Sequence, residues 1–424
     1  MGYLKTDKHA LHIKLPPALH YWRFTWLWVG LLISTAGSAM QLAALLWHLR
    51  LLSSLPLVVS GIGLARFVPI LVFAPFGGVV ADAFDRRKVL LITQITMTVT
   101  ALALGLLTWQ GTIQIWHIYL LTGIQAVAGS FDGPARQSMV PNLMPRQALP
   151  SAFSLQSIAS NTGSIVGPAL GGMVIAYLGL QYAYFFNAAS FLSVILALLL
   201  IGPIAQEKGL VIKGAKASLE SIREGVHFVV NQPIILSSML LDFIATFFSS
   251  ATTLLPFVAR DVLHVGEVAY GWLVSADAIG AVVVGLIFSQ QSHIRRQGAL
   301  LLSAVTAYGL ATILFGFART FPFAIVALML VGAGDSVSTI LRNTIRQIQT
   351  PDFIRGRMVS LNQIFFMGGP QLGEIEAGLV GQLLGIPVSI ITGGIGCVIG
   401  VIWVTFHWPQ LRRYKGDEPA VAIP

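Results

Sequence analysis

Apolar residues in this chain run in long, almost unbroken stretches separated by short polar breaks. The pattern has neither the one-sided period of a surface helix nor the alternation of a half-buried strand. Twelve such stretches can be read, at residues 24–49, 57–81, 89–109, 116–136, 154–177, 182–201, 233–258, 269–290, 299–318, 321–345, 359–384 and 387–408. Each is long enough to cross a hydrocarbon layer of about 30 Å as a helix. The expectation is an all-α integral membrane protein with twelve transmembrane helices.

One long polar connection interrupts the series. Residues 202–232 separate a first half, 1–201, from a second, 233–424, and carry Lys208, Lys213 and Lys216. Within this linker Leu219, Ile222, Val226, Val229 and Val230 fall on one helical face, which predicts an amphipathic helix lying on the membrane surface. The halves resemble each other. At one constant offset Arg136 aligns with Arg342, Pro145 with Pro351 and Ser154-Leu155 with Ser360-Leu361. Such a repeat predicts two pseudo-symmetric six-helix bundles.

Composition agrees. Of 424 residues 55% are hydrophobic and only 10% charged, against roughly 25% charged in soluble proteins; mean hydropathy is +0.78. The net charge of +9 would suit nucleic acid in a soluble protein, but here it marks one side of a membrane. With both termini cytoplasmic, all of the 26 Lys and Arg except Arg50, Arg66, Arg260 and Arg319 fall on or at the edge of the cytoplasmic side. No cleavable leader precedes the first stretch, which reads as a permanent span. The lone Cys397 excludes an intrachain disulfide and a paired-cysteine metal site. The histidines lack metal-ligand spacing, no phosphate-binding loop is present, and no nucleophile–base pair stands out. Neither cofactor, ATP use nor enzymatic chemistry is expected.

The densest charge cluster is Gly77–Lys88, at the joint between the second and third stretches. Asp85 is placed to cap the third helix, and Arg86, Arg87 and Lys88 to hold the turn at the lipid headgroups. Other charges fall inside the apolar stretches, where an ionisable group defaults to a functional hypothesis. They are Arg66, Asp242, Asp277, Glu374 and Glu376. Buried carboxyls can exchange protons near neutral pH, which makes Asp242, then Asp277, and also Glu374 and Glu376, candidates for proton coupling. The alternative is a carboxyl satisfied by a nearby hydroxyl such as Thr246 or Ser275. Asp132 with Arg136, and Asp335 with Arg342, read as paired gate charges near the cytoplasmic ends of their helices. In the fifth stretch Gly163, Gly167, Pro168, Gly171 and Gly172 allow close backbone approach and a bend. Gln41, His48 and the tryptophans at the first stretch could line a cavity, the alternative for the tryptophans being an aromatic belt at the membrane interface; Phe243 and Phe247 could contact an apolar substrate or pack against lipid.

The turn Gly78-x-x-x-Asp82-x-x-x-Arg86-Arg87, with six plus six spans and a linker, resembles the signature of the major facilitator superfamily. Two positions depart from it: Ala83 stands where a cation is usual, and Asp85 where glycine is frequent. The form Phe84-Asp85-Arg86-Arg87 is similar to the branch of the enterobactin exporter and macrolide efflux pumps. So are Asp132-Gly133-Pro134-Ala135-Arg136-Gln137, Gly167-Pro168-Ala169-Leu170-Gly171-Gly172, Thr350-Pro351-Asp352 and Gly369-Pro370-Gln371-Leu372-Gly373-Glu374. The resemblance implies that Asp82 contacts the start of the eleventh span and closes the cytoplasmic side, the alternative being a simple topogenic turn. It implies that the fifth span packs on the eighth, where Gly280 and Gly285 offer a smooth partner. It makes the second and eleventh spans neighbours, so that Arg66 and Glu374 or Glu376, which fall at similar depth, could form an ion pair across the halves. The function it implies is proton-coupled export of an amphipathic small molecule (a drug, macrolide or siderophore) by alternating access. The setting is a prokaryotic inner membrane and the form a monomer. Alternatives are a lysophospholipid or metabolite carrier on the same scaffold, or a non-transporting receptor or assembly factor.

Overall fold

The computed structural model describes residues 16–204, 224, 226–291 and 294–416, apart from the side chains of Asp82 and of residues 352–357, 359–361 and 363–367. Every regular element among the described residues is helical. Twelve long helices succeed one another: α1 Trp22–Leu52, α2 Pro56–Ala83, α3 Arg86–Trp109, α4 Ile115–Met139, α5 Leu149–Tyr177, α6 Leu180–Ile201, α7 Pro233–Ser249, α8 Glu267–Ser289, α9 Gln297–Gly316, α10 Phe321–Gln349, α11 Asp352–Leu384 and α12 Ile386–His407. A short α13, Pro409–Arg413, follows. Among the described residues ten helical segments are long and apolar enough to cross a membrane. The helices outside that set are α4, with Gln125, Asp132 and Arg136, and α11, with Gln371, Glu374 and Glu376. Their polar residues lower the apolar content below what length alone would suggest.

The helices follow the apolar stretches and overrun them at the ends. The one internal difference is in the seventh stretch. There α7 stops at Ser249, and the chain continues through short turns, including a π-helical turn Val258–Val262, to α8. The small polar run Ser249-Ser250-Ala251-Thr252 and Pro256 interrupt the helical hydrogen-bond ladder at this place. Of the linker helix expected over 219–230, half lies outside the described residues. At its end Phe228 and Val229 are buried against Ile235, Met239 and Met358, whereas Val226 and Val230 are exposed.

Packing repeats under addition of six to each helix number. α1 lies on α5 and α6 as α7 lies on α11 and α12; α2 and α3 lie on α4 as α8 and α9 lie on α10; α3 meets α6 as α9 meets α12. The two sets touch along two seams, α5–α8 and α2–α11, which exchange under the same rule. Tight connections repeat as well. Gly179 joins α5 to α6 at φ 108°, and Gly385 joins α11 to α12 at φ 95°. Both need the left-handed backbone that glycine adopts without a steric cost. Below, the proximal end is where α1 and α7 start, and the distal end is where they finish.

Inside each set, small residues bring helices into backbone contact, since apolar side chains gain little from each other in lipid. Gly394 of α12 faces α9 so closely that an added Cβ would lie 2.6 Å from both the carbonyl oxygen of Gly309 and Ile313 Cγ1. By contrast Gly78 and Gly285 have nothing within 4 Å of that position. Gly394→Val should therefore destabilise the purified protein by about 1–3 kcal/mol through overpacking, read as a lowered Tm. Gly285→Ala should leave the Tm within error.

Candidate functional site

The two halves are joined tightly at the distal end. Arg50, in the last turn of α1, donates to both oxygens of Asp261, with Nη2 at 2.8 Å from Oδ1 and Nε at 3.2 Å from Oδ2. Its guanidinium also lies over the ring of Phe257, 4.7 Å from the centroid. One turn inward Trp47 packs on Tyr270 at 4.9 Å between centroids, and the Tyr270 hydroxyl donates to the carbonyl of Ala43 at 3.0 Å. On the α5–α8 seam a Cβ on Gly271 would meet the Pro168 carbonyl oxygen at 2.5 Å and Gly172 Cα at 3.0 Å, so the two backbones touch. Ser275 donates to the Ile165 carbonyl at 2.7 Å on the same seam. On the α2–α11 seam Ser60 and Thr253 share a hydrogen bond of 3.1 Å, and Gly378 rests on Ser60. All of these contacts belong to the distal halves of their helices.

This geometry revises two expectations. The partner of the small-residue run in α5 is Gly271. Gly280 packs instead on the backbone of Met329 in α10, and Gly285 faces nothing close. The run itself has two faces: Gly163, Gly167 and Gly171 seat α1 at Thr35, Ala36 and Met40, and Gly172 seats α8. Nor do Arg66 and Glu374 form a direct ion pair; among the described residues no salt bridge joins them. Glu374 is buried with its carboxylate over Gly63, one turn before Arg66, so the α2 cation acts on it only at longer range. A Cβ on Gly63 would lie 2.9 Å from the Glu374 carboxylate, so the carboxylate is seated against α2 one turn from Arg66. Glu376 is half-buried.

The hinge is held by backbone carbonyls. Asp85 caps α3, accepting from the Arg87 amide at 3.0 Å. Arg86 donates to the carbonyls of Ala81 and, at 2.8 Å, Ser138; Arg87 donates to that of Leu198 at 2.8 Å. These carbonyls belong to the last turns of α2, α4 and α6, where the helix dipole favours a cation. Arg86 and Arg87 thus tie three helix ends together. The expected contact of Asp82 with the start of α11 lies outside the described side chains. Gly78 is exposed.

The charges inside the second half form one buried cluster. Asp242 of α7 faces two guanidiniums of α10, Arg342 at 2.9 Å and Arg346 at 3.3 Å. The side chains of Asp242 and Arg342 are each 2% exposed. Arg346 also donates to the Ser238 hydroxyl at 3.2 Å, the Ser238 carbonyl at 3.1 Å and the Asn362 amide oxygen. Thr246, foreseen as a partner for the Asp242 carboxyl, donates to its backbone carbonyl instead, at 2.8 Å. Arg342 reaches on to Asp335 at 3.4 Å, whose side chain is 44% exposed. Asp277 of α8 lies next to this edge, its Oδ1 2.7 Å from where a Cβ on Gly332 would be, one turn before Asp335. Ser275 does not serve it, being used on the α5 seam and on the Gly271 carbonyl. Among the described residues Asp277 has no cation within ion-pair distance.

The first half is balanced differently. Asp132 of α4 is buried and accepts from Thr93 at 3.0 Å, Gln94 at 2.8 Å and Arg136. A cavity of about 540 Å³ opens beside this pair. Gln41 does not line it. Gln41 is buried in a chain of amides, donating to Gln125 at 2.7 Å and accepting from Asn187 at 2.7 Å. Phe243 and Phe247 stack on each other at 5.8 Å, next to Gly369 and Gly373 of α11, at the seam of α7 with α11. His48 is likewise internal, hydrogen-bonded to Tyr184 at 2.9 Å. Arg346 and the Arg50–Asp261 pair escaped the sequence reading. The spacing of Arg342 and Arg346, one helical turn apart at the end of an apolar stretch, was the available signal for the first. No local signal links Arg50 to Asp261.

Repeated helical sets meeting along two exchangeable seams, with buried charges in each, define a multi-pass membrane transporter of the major facilitator type. The family model described as "Transmembrane secretion effector" matches residues 16–420, and the chain belongs to that family. The enterobactin exporter of Citrobacter koseri is 28% identical over 357 residues, 84% of either chain; that of Shigella boydii is 28% identical over 359 residues, 85% of this chain and 84% of its own. In fold the chain is similar to a bacterial homolog of the human lysosomal transporter Spinster in an inward-facing, occupied state. The TM-score is 0.69 at 14% identity, covering 92% of this chain and 98% of the other. It is also similar to the nucleoside transporter NupG, with a TM-score of 0.67 at 15% identity, covering 92% and 99%.

Removing the charge of Asp242 leaves two guanidiniums buried without a counter-ion. Asp242→Asn should cost about 3 kcal/mol or more, measured as a lowered Tm or as loss of folded protein from membranes. Asp335→Asn, at the exposed edge, should cost less than half as much.

Proposed function

We propose that this protein exports an amphipathic small molecule across a prokaryotic inner membrane by alternating access, driven by protons moving inward. The halves 1–201 and 233–424 rock as bundles about the linker 202–232, with the proximal end and both termini in the cytoplasm and one chain sufficient for transport. The observation that carries this reading is the distribution of inter-half contacts. The described ones cluster at the distal end, while Gly78 and Gly285, at equivalent proximal places on α2 and α8, face nothing close. The cation asymmetry supports the assignment of sides. A protein whose described inter-half contacts lie distally is positioned to load from the cytoplasm, as an exporter must. The relatives export enterobactin, which makes a siderophore the first compound to try.

Asp277 is the carboxyl best placed to carry the proton. Asp242 is held by two guanidiniums and Asp132 by three donors, so releasing either would disrupt a network. Asp277 has no such counter-ion and stands one turn from Asp335. A proton there removes a repulsion between neighbouring carboxylates. Glu374 and Glu376, on the α2–α11 seam, are the next candidates.

In reconstituted vesicles, efflux across a panel of siderophores, macrolides and cationic drugs should rise when a pH gradient is imposed. Efflux indifferent to the gradient would remove proton coupling, and a panel without any transported compound would remove the exporter assignment. Asp277→Asn should abolish gradient-driven efflux while substrate exchange at equal pH persists; loss of both would make Asp277 structural. Arg50→Asp, which sets two acids against each other at the distal seam, should reduce transport severely, and the swap Arg50→Asp with Asp261→Arg should restore much of it. Equal transport by all three forms would show that this pair is not part of the distal closure.

A further inference from the structure

The cavity beside Asp132 collects polar side chains that lack a protein partner. Several hydroxyls of the first half, those of Thr98, Thr100, Ser190 and Ser193, instead donate to a carbonyl about one turn back, a common device in membrane helices. Ser34, Ser38, Gln137, Gln156, Ser160 and Ser164 line the cavity and make no hydrogen bond to another described residue through their side chains. Gln94 lines the same cavity, is fully buried, spends its amide nitrogen on Asp132, and has an amide oxygen without a protein partner. Pro168 adds one more acceptor. It has no N–H, so the carbonyl of Ser164 lacks its helical donor one turn on. Arg136 is neutralised by Asp132. The lining therefore offers hydroxyls, amides and carbonyls but no unpaired charge. Leu31, Met97 and Phe191 supply apolar wall on the same cavity.

From this we infer that the cavity is a subsite for a neutral, hydroxyl- or amide-bearing group of an amphipathic ligand, with Gln94 accepting one of its hydrogens. The buried amide oxygen of Gln94, left unmet, carries a free-energy cost that such a group removes, and the exposed hydroxyls and amides around it are free to bond the same group. A cationic or anionic group would enter without a counter-charge, which costs more than it gains. The volume of about 540 Å³ falls within the range of small-molecule sites. The inference rests on the transporter reading only for the source of the ligand, since binding can be read without transport.

The test uses full-length protein in lipid nanodiscs carrying Ser160→Cys. The single native thiol, Cys397, is fully buried, so the new thiol is the one that a water-soluble maleimide reaches. Labelling is followed with three amphiphiles of the same tail, each below its micelle concentration: octyl β-glucoside, octyltrimethylammonium and octyl sulfate. The glucoside should slow labelling and the two ions should not. Ser164→Ala, which leaves the Asp132 network untouched, should raise the protecting concentration about fivefold, the equivalent of one lost hydrogen bond. Gln94→Leu should raise it further. Equal protection by all three amphiphiles, protection by an ion alone, no protection by the glucoside, or protection unchanged in both Ser164→Ala and Gln94→Leu would overturn the proposal. Glucoside protection in a protein that moves nothing in vesicles would keep the subsite and remove the exporter reading. Transport without protection would remove the subsite alone.

Discussion

Within a hydrocarbon layer a polar group has no water to turn to, so each one must find its partner inside the protein. Much of this structure follows from that constraint. Asp242 is clamped by Arg342 and Arg346; Asp132 is met by Thr93, Gln94 and Arg136; Gln41, Gln125 and Asn187 pass a chain of amide bonds through the first half. Hydroxyls fold back on their own helices. Arg86 and Arg87 cover the bare carbonyls at the ends of α2, α4 and α6. Against this background two places matter for function: the exposed carboxyl of Asp277 in the second half, with no described cation beside it, and the hydroxyl- and amide-lined cavity in the first. The roles assigned to them, proton carrier and ligand subsite, come from the same physical argument: a group without a partner in one state is available for a partner that arrives.

The second organising feature is the use of small residues at the seams. Lipid removes the hydrophobic gain between helices, so attraction depends on how closely backbones approach. Gly172 against Gly271, and Gly378 against Ser60, bring the halves together at the distal end with little side chain between them. Such surfaces can slide or separate without repacking bulky groups. The Arg50–Asp261 pair adds a contact that is strong when made but open enough to water to break. Distal closure thus combines a smooth seam with a polar clasp, a combination compatible with repeated opening.

Much of the fold could be read from the chain. Apolar stretches gave most of the helices to within about five residues, because a bilayer demands runs of that length; α7 ends nine residues early and α11 starts seven residues early. The repeat, carried by Arg136 and Arg342 and by Pro145 and Pro351, reappears as packing that recurs every six helices. Gly179 and Gly385, in equivalent tight turns, belong to the same repeat. Less could be read where polarity and span coincide, as in α4 and α11. The individual partners were harder still. Arg66 and Glu374 fall at similar depth, yet the carboxylate rests beside Gly63 and no described ion pair joins the two. Thr246 lies within a turn of Asp242, yet two guanidiniums from α10 take the carboxyl. Gly280 and Gly285 have the composition of a seam, yet Gly271 is the one that faces α5.

The sequence by itself determined the class of solvent, the helices, the repeat, the hinge with its Asp85 cap, and which charges had to be explained. These are local or compositional properties, fixed by helix length, by transfer cost and by residues a turn apart. Only the tertiary structure decided which charge meets which, that Arg346 and Asp261 belong among the important ones, that the described contacts between halves cluster distally, and that the hydroxyls beside Asp132 face a shared cavity. Those facts depend on the rotation of each helix about its axis and on contacts between residues 100 or more positions apart, such as Arg50 and Asp261 or Asp242 and Arg346. A helix four turns long and apolar on every side carries no local record of which face will meet a neighbour.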